Sequence, residues 1–380
     1  MADAGARHDA RRPAWVEIDL AAVRRNVARV GERLTRGTQT MAVVKANGYG
    51  HGDVEVARAA LQAGATWLGV ILVDEGLRLR DAGIDVPILL LHEPPAERMD
   101  HALANDLTPV VFTERGLTAL GEAAERAGRT VRAHLKIDTG LNRLGVPWVH
   151  VEDFSRALAK EGRVEIEALF THFAFADDPT NPFIDTQLKR FEASCERLRA
   201  LGLEPAFRHV ANSAASITRP DAHYDMVRLG IAMYGLSPGP KCGGFVDLSP
   251  AMSLKAEVAM VKRIRAGEAV SYGHTWTAER DSTIASLPLG YADGWPRALG
   301  NRAELLIGGR RYPSVGTVCM DSFMVDLGDD PCEVGDEAVL IGTQGNERVT
   351  ADALADAVGT INYEIVTRMG TRLPKVFLDG

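Results

Sequence analysis

The chain has 380 residues, of which 46% are hydrophobic and 25% charged, the composition of an ordinary globular protein. Its 51 acidic and 43 basic residues leave a net charge of -8, which argues against a nucleic-acid or anionic-membrane surface but leaves room for a local cationic pocket. The length exceeds one typical hydrophobic core, so two domains are expected.

Residues 1–14, MADAGARHDARRPA, carry charges and lack the apolar stretch of a secretion signal. They read as a disordered tail on a cytoplasmic protein. No apolar run further on is long enough to cross a bilayer. Residues 15–20 form a short alternating strand, after which Asp19 can cap a helix bearing Leu20, Val23, Val27 and Val30. The apolar, partly β-branched run 39–44 reads as a buried strand with Lys45 at its end. Asn47, Gly48 and Gly50 break it, and a helical pattern starts at Asp53. The lysine therefore sits on a strand-to-helix turn, where α/β enzymes keep their chemistry.

The same theme then recurs, with apolar runs at 67–72, 86–91, 107–112, 131–137, 164–170, 207–210 and 226–233. Segments 54–62, 115–127, 149–160 and 186–201 between them show helical spacing. This is the pattern of an α/β protein with an N-terminal (β/α)8 TIM-type barrel over residues 15–244, right-handed crossovers leaving few other topologies. A doubly wound open sheet is the alternative, although neither GxGxxG nor GxxxxGK[ST] follows any strand. The cluster SPGPKCGG at 237–244 reads as a linker. Residues 245–380 alternate between short apolar runs and glycine turns, a C-terminal domain of mostly β-strand. One helix is expected over 351–358 with Thr350 as its cap, and NYEIVTRMG should lead into a last strand. Cys195, Cys242, Cys319 and Cys332 have neither CxxC nor paired-histidine spacing, so free thiols and no metal site are expected.

Polar residues fall where a barrel would place reactive ones. Lys45 ends the first strand, Lys136 and Asp138 end the fifth with Arg143 just beyond, and His172 ends the sixth. Asn212 and Ser213 follow the seventh, and Arg228 lies in the eighth. Buried charges are costly unless paired, so Lys136, His172 and Arg228 imply an ionic network at one rim. Ser213 and the amides near Gly230 and Ile231 can hold an anion opposite a lysine able to bond an aldehyde. That combination describes pyridoxal phosphate. A barrel acting on a phosphorylated aldehyde or ketone, such as an aldolase, would use the same residues.

The blocks AVVKANGYGHG, KIDTGLNRLG, THFAFADD, HVANSAA, VRLGIAMYGL, VSYGHTW, LGYADGW, VGTVCMD and INYEI, in this order from Trp15 onward, resemble the alanine racemase family of fold-type III pyridoxal phosphate enzymes. The resemblance implies that Lys45 binds the cofactor covalently and that Tyr49, Ser213, Gly230, Ile231 and Tyr363 hold its phosphate, with Asn212 beside them. Arg228 would face the pyridine nitrogen, and His172 would connect it to a catalytic Tyr272 supplied by the other subunit of a homodimer. Arg143 and the backbone of Met320 would hold the alanine carboxylate, with Tyr291 and Asp321 nearby. Lys136 is the position that similar proteins often carbamylate. The implied activity is interconversion of L- and D-alanine, supplying D-alanine for bacterial cell-wall peptidoglycan.

This chemistry needs a proton donor and acceptor on each side of one carbon, which Lys45 and Tyr272 would provide. A tyrosine ordinarily titrates near 10, so positive charge passed along a chain from Arg228 through His172 would have to lower it. An arginine facing the ring nitrogen keeps it unprotonated, which makes the ring a weaker electron sink and limits side reactions. Tyr272 and Tyr363 would also narrow the entrance in favour of a methyl side chain. A racemase for serine or basic amino acids would share every one of these residues. Basic amino-acid decarboxylases resemble the architecture but carry a carboxylate where Arg228 stands. Non-catalytic pyridoxal phosphate carriers lack the β domain and its VSYGHTW block.

Overall fold

The computed structural model describes residues 12–379. The apolar runs become parallel strands at Gln39–Val43, Trp67–Val70, Ile88–Leu90, Leu107–Thr108, Val131–Asp138, Val164–Phe170, Phe207–His209 and Met226–Leu229. The fourth resumes as Val110–Val111 because Pro109 between the two pieces has no N–H to give. Strands hydrogen-bond in chain order, and Met226–Leu229 pairs back onto Gln39–Val43. The remaining seam is closed by Asp225 N donating to Arg208 O at 3.2 Å and Arg228 N to Ala211 O at 3.0 Å. The ring is the expected (β/α)8 barrel.

Alternation along the strands sorts the interior. Met41, Trp67, Leu89 and Met226 pack together with Leu91 and Phe207, each buried apolar side chain contributing about 1.5–3 kcal/mol. Two residues further along the same inward faces, the period-2 rule turns polar groups into the barrel. Arg228 follows Met226, His209 follows Phe207, and Lys136 follows His134; the four polar residues Arg228, His209, Lys136 and His134 are all buried.

Outside the ring, helices Asp53–Gln62, Glu114–Arg126, Val151–Leu158 and Phe183–Ala200 match the expected amphipathic segments. Thr113 caps the second, its hydroxyl oxygen accepting from Gly116 N at 2.9 Å. Helices Val73–Asp81, Met99–Ala104 and Ser213–Thr218 were not evident in the sequence. Two are short, and the buried face of Val73–Asp81 includes Glu75 and Gly76, which breaks its apolar period. The eighth strand stops at Leu229 rather than running to 233, because Gly230 turns the chain into a 3-10 segment at Ile231–Tyr234.

The second unit is a largely antiparallel sheet. Its strand order is Met260–Ile264, Ser282–Leu287, Phe323–Gly328, Arg310–Val315, Glu304–Ile307, Glu337–Gln344, Met252–Glu257, Ala14–Asp19 and Lys375–Leu378. Domain limits therefore differ from those expected. The barrel unit comprises residues 22–48 and 53–250, and the other unit takes residues 12–21, 49–52 and 251–379. The first strand leaves the expected 15–244 barrel because it pairs antiparallel with Met252–Glu257 and parallel with Lys375–Leu378. Residues 237–250 stay with the barrel because Asn26 holds them: its Nδ2 donates to Ser249 O, and its Oδ1 accepts from Ser249 N, both at 2.8 Å. Most of the expected tail lies outside the described residues, but Arg12 ion-pairs with Asp293 and Ala14 is fully buried.

Helix Ala351–Val358 forms as read, with Thr350 accepting from Ala353 N at 3.1 Å. NYEIVT, however, is itself a helix, Asn362–Thr367, anchored by Asn362 Nδ2 donating to Asp352 Oδ1 at 2.7 Å, and the last strand starts only at Lys375. Among the described residues no helix is long and apolar enough to cross a membrane.

Candidate active site

The polar residues of the barrel unit start from a left-handed turn. After Val44, residues Ala46, Asn47 and Gly48 adopt φ of 53°, 53° and 60°, and Gly48 N donates to Val44 O at 2.9 Å. Left-handed backbone costs roughly 1–2 kcal/mol for each non-glycine residue, so the surroundings must impose it. Glu75 does much of this. Its buried carboxylate accepts from Ala46 N at 2.7 Å, and also from Ile71 N at 2.8 Å and Leu72 N at 3.1 Å, tying the first strand-to-helix loop to the second. Asn47 Oδ1 accepts from Asp53 N at 3.3 Å, and the buried Tyr234 hydroxyl donates to Val43 O at 3.0 Å. Lys45 is thus fixed at the strand end, its amine pulled below the ordinary lysine range by burial and by Arg143, against a smaller opposing effect of Glu75.

Arg228 is the centre of the rim. Its Nη1 donates to His209 Nδ1 at 2.9 Å and His209 O at 2.8 Å, and the two hydrogens of its Nη2 are shared among Thr171 O at 2.8 Å, Val210 O at 3.1 Å and His172 Nδ1 at 3.3 Å. Burial lowers it to about 9, which still leaves a cation at neutral pH. His172 is held well below the usual imidazole range by burial and then by Arg228, so it is neutral. Burial, then the charges of Arg228, Arg143 and Lys45, push Lys136 down to about 8, with Asp138 opposing. Asp138 shapes the Arg143 loop, its Oδ1 accepting from Gly140 N at 2.9 Å and Asn142 N at 3.1 Å. Beneath that loop the buried Gln187 donates to Thr139 Oγ1 at 3.0 Å and His172 O at 3.2 Å.

An anion cradle adjoins this cluster. Ser213 Oγ accepts from Gly230 N at 2.8 Å and Ala232 N at 3.3 Å, joining the loops after the last two strands and leaving the hydroxyl hydrogen free to donate. Asn212 caps the short helix, its Oδ1 accepting from Ala215 N at 3.1 Å, so it orients Ser213 more directly than it meets a ligand. The donor set is an amine with depressed affinity for protons, a buried guanidinium, a free hydroxyl and an excess of cations. It fits an anionic, aldehyde-bearing group such as pyridoxal phosphate.

The other unit brings together a second set. Tyr272 is 73% exposed, Met320 53% and Tyr291 38%. Their loops are laced to one another: Thr317 Oγ1 donates to Tyr272 O at 2.8 Å, Tyr291 N to Cys319 O at 3.1 Å and Ala292 N to Met320 O at 3.0 Å. Asp321 pairs with Arg372 at 2.6 Å. Gly290 must lack a side chain, since a Cβ there would lie 2.3 Å from Cys319 O. Tyr49 and Tyr363 lie with ring centroids 6.2 Å apart, and burial pushes the Tyr49 phenol up to about 12.

Residues 18–238 match the family model "Alanine racemase, N-terminal domain", and residues 251–377 match "Alanine racemase, C-terminal domain". The chain belongs to the alanine racemase family. An alanine racemase of Symbiobacterium thermophilum is 49% identical over 370 residues, covering 97% of this chain and 98% of that one. The crystal structure of alanine racemase from Bacillus anthracis with bound L-Ala-P superimposes with a TM-score of 0.92 at 39% identity, covering 97% of this chain and 95% of that one. That of Bartonella henselae with covalently bound pyridoxal phosphate gives 0.86 at 28% identity, covering 96% and 99%.

Of the residues singled out in the sequence, the barrel unit carries Lys45, Lys136, Arg143, His172, Asn212, Ser213, Arg228, Gly230 and Ile231 at one rim. Tyr272, Tyr291, Met320 and Asp321 form a second group on the other unit. Sequence reading missed Glu75, whose helix was not recognised, and Gln187, which is hidden among polar positions of a long helix. It also missed His134 and His209, although an inward-facing histidine two residues from a strand-end cation is a legible signal.

Proposed function

We propose that this protein interconverts L- and D-alanine with pyridoxal phosphate bound at the barrel rim, in the cytoplasm. The observation that carries this reading is the buried Arg228 guanidinium, clasped by His209 and His172 on the same rim as the Lys45 amine. When bound, the cofactor supplies an aldehyde for the amine to meet and a ring that withdraws electrons from Cα.

The chain's own residues do the rest. The Ser213 hydroxyl, the Ile231 amide, the Gly230 amide once released from Ser213 Oγ, and the Tyr49 and Tyr363 hydroxyls hold the phosphate. Arg228, having only hydrogens to offer, donates to the ring nitrogen and keeps it unprotonated. Arg143 holds the substrate carboxylate together with the backbone of Met320, which a second copy of the chain contributes along with Tyr272, with Tyr291 and Asp321 beside it. Lys45, its amine biased toward the free base, takes or returns the Cα proton on one face. Tyr272 does so on the other face, contributed by a second copy of the chain, since its high exposure in a single copy suits a residue completed by a partner. The relatives bearing L-Ala-P and covalent pyridoxal phosphate support the substrate and the cofactor.

The test is chiral chromatography of L-alanine incubated with protein and pyridoxal phosphate. Equal amounts of the two enantiomers at equilibrium are expected; L-alanine recovered unchanged would overturn the reading. Serine, lysine and arginine run alongside distinguish a narrow racemase from a broad one.

A further inference from the structure

A line of buried polar groups runs from Arg228 away from the rim, and the chemistry above does not use its far end. His209 Nδ1 accepts from Arg228 Nη1 at 2.9 Å, His134 Nδ1 stands 3.0 Å from His209 Nε2, and His134 Nε2 lies 3.6 Å from Glu167 Oε2. Both histidines are fully buried, whereas Glu167 borders a surface cleft with Trp67, Arg129 and Arg132. The walls are aromatic: Phe170 stacks on His209 at 4.6 Å and 9°, and Trp67 and Phe207 each lie 5.3 Å from His134. Water is kept from both rings, and at the far end the Glu167 carboxylate also meets Arg132, whose Nη1 lies 3.4 Å from its Oε1.

Donor and acceptor counting fixes every proton on the line. A guanidinium has no acceptor, so His209 Nδ1 carries no hydrogen and a neutral His209 bears it on Nε2. That hydrogen points at His134 Nδ1, which must accept, so His134 also bears its hydrogen on Nε2. The last N–H then faces a carboxylate. The contact is longer than a full hydrogen bond, but its sign is right, and His134 in turn holds the Glu167 carboxyl below its ordinary range. Were either ring to take the other tautomer, two hydrogens would meet at one of the junctions.

We propose that Glu167 is a positioning residue for Arg228. Through two neutral histidines whose tautomers Arg228 sets, its carboxylate faces the last hydrogen of the line and serves as the remote counter-charge of a guanidinium that has no carboxylate among its own hydrogen-bond partners. Glu167 thereby keeps Arg228 a donor toward the rim without placing a negative charge beside it, where a carboxylate would itself compete for the guanidinium. Its consequence for turnover rests on the racemase reading; the tautomers do not.

Histidine 15N NMR of the chain without added cofactor, in wild type, Glu167→Gln and Glu167→Leu, tests this. In wild type His134 and His209 should both show the neutral Nε2–H pattern. Glu167→Gln, which keeps shape and an acceptor but loses the charge, should shift the His209 signals, and Glu167→Leu, which leaves the His134 Nε2–H facing no acceptor, should shift them further with the tautomers unchanged. In holoenzyme, kcat for alanine should fall roughly 2- to 30-fold in Glu167→Leu with KM unchanged, and Glu167→Gln should lie between it and wild type. An Nδ1–H tautomer in wild type, or His209 signals indifferent to both substitutions, would overturn the proposal whatever the activity. Shifted His209 signals with unaltered kcat would confine Glu167 to structure and overturn its positioning role.

Discussion

Arg228 Nη2 lies 3.3 Å from His172 Nδ1 while the same guanidinium donates to the backbone oxygens of Thr171, Val210 and His209. Since arginine can only donate, His172 carries its proton on Nε2, away from Arg228. One buried cation thus sets the tautomer of a neighbouring histidine and ties down the carbonyls at the ends of two strands.

A lysine could keep that charge but not the fork. Arg228→Lys should leave at least one buried carbonyl without a donor and cost about 3 kcal/mol in urea unfolding. Alanine turnover should fall by roughly 100-fold or more. Arg228→Glu, by contrast, should protonate the ring nitrogen and raise pyruvate formation by transamination relative to racemisation. An unchanged pyruvate ratio would count against the role assigned to Arg228.

The buried histidines should make the fold sensitive to mild acid. His134 and His209 are held below the ordinary imidazole value, chiefly by burial and further by Arg228. Below about pH 6.5 the unfolded chain binds protons that the folded chain refuses, so stability falls as pH drops and is unaffected above that value. The two together contribute a slope of up to roughly 3 kcal/mol per pH unit. Urea unfolding between pH 7.5 and 5.5 reads this directly, and a flat midpoint would show that the rings protonate freely in the fold.

Much of this was legible and some was not, for physical reasons. The strands of the barrel show as apolar runs because both of their faces are buried, and Val164–Phe170 appears with its limits intact. Lys45, His172 and Arg228 stand out because charged or polar groups in such runs need an explanation. Glu75 did not, because its role is to accept three backbone N–H groups from two loops, and no periodicity announces that. The strand Ala14–Asp19 has an ordinary alternating pattern, but its partners lie more than two hundred residues away, so sequence placed it with its chain neighbours. NYEIVT, six residues long, is too short for helical spacing to separate from a strand.

Lys136 is a buried amine among like charges, pushed down to about 8, so a substantial neutral fraction is available to add carbon dioxide at mildly alkaline pH. The carbamate would replace a cation by an anion facing Arg143 and Arg228. A carbamate 13C resonance is expected after incubation with labelled bicarbonate near pH 8–9 and should be absent in Lys136→Met. Losing the charge-assisted contact should raise KM for alanine about tenfold through Arg143. A carbamate signal that survives Lys136→Met would place it elsewhere.

If each site takes Lys45 from one subunit and Tyr272 from another, two dead variants should repair each other. Lys45→Ala and Tyr272→Phe should each be inactive alone. Mixed under subunit exchange, they form hybrid dimers with one intact site, so about a quarter of wild-type activity should return from a statistical half of hybrids carrying one site in two. No recovery despite proven exchange would mean that both groups act within one chain.

The most direct measurement follows the Cα hydrogen of each alanine enantiomer in D2O with Tyr272→Phe holoenzyme. Lys45 alone should exchange deuterium into one enantiomer with its configuration retained, and inversion should fall by at least about 100-fold in both directions. Inversion at the wild-type rate, or exchange equally fast from both enantiomers, would show that Tyr272 is not the second proton carrier.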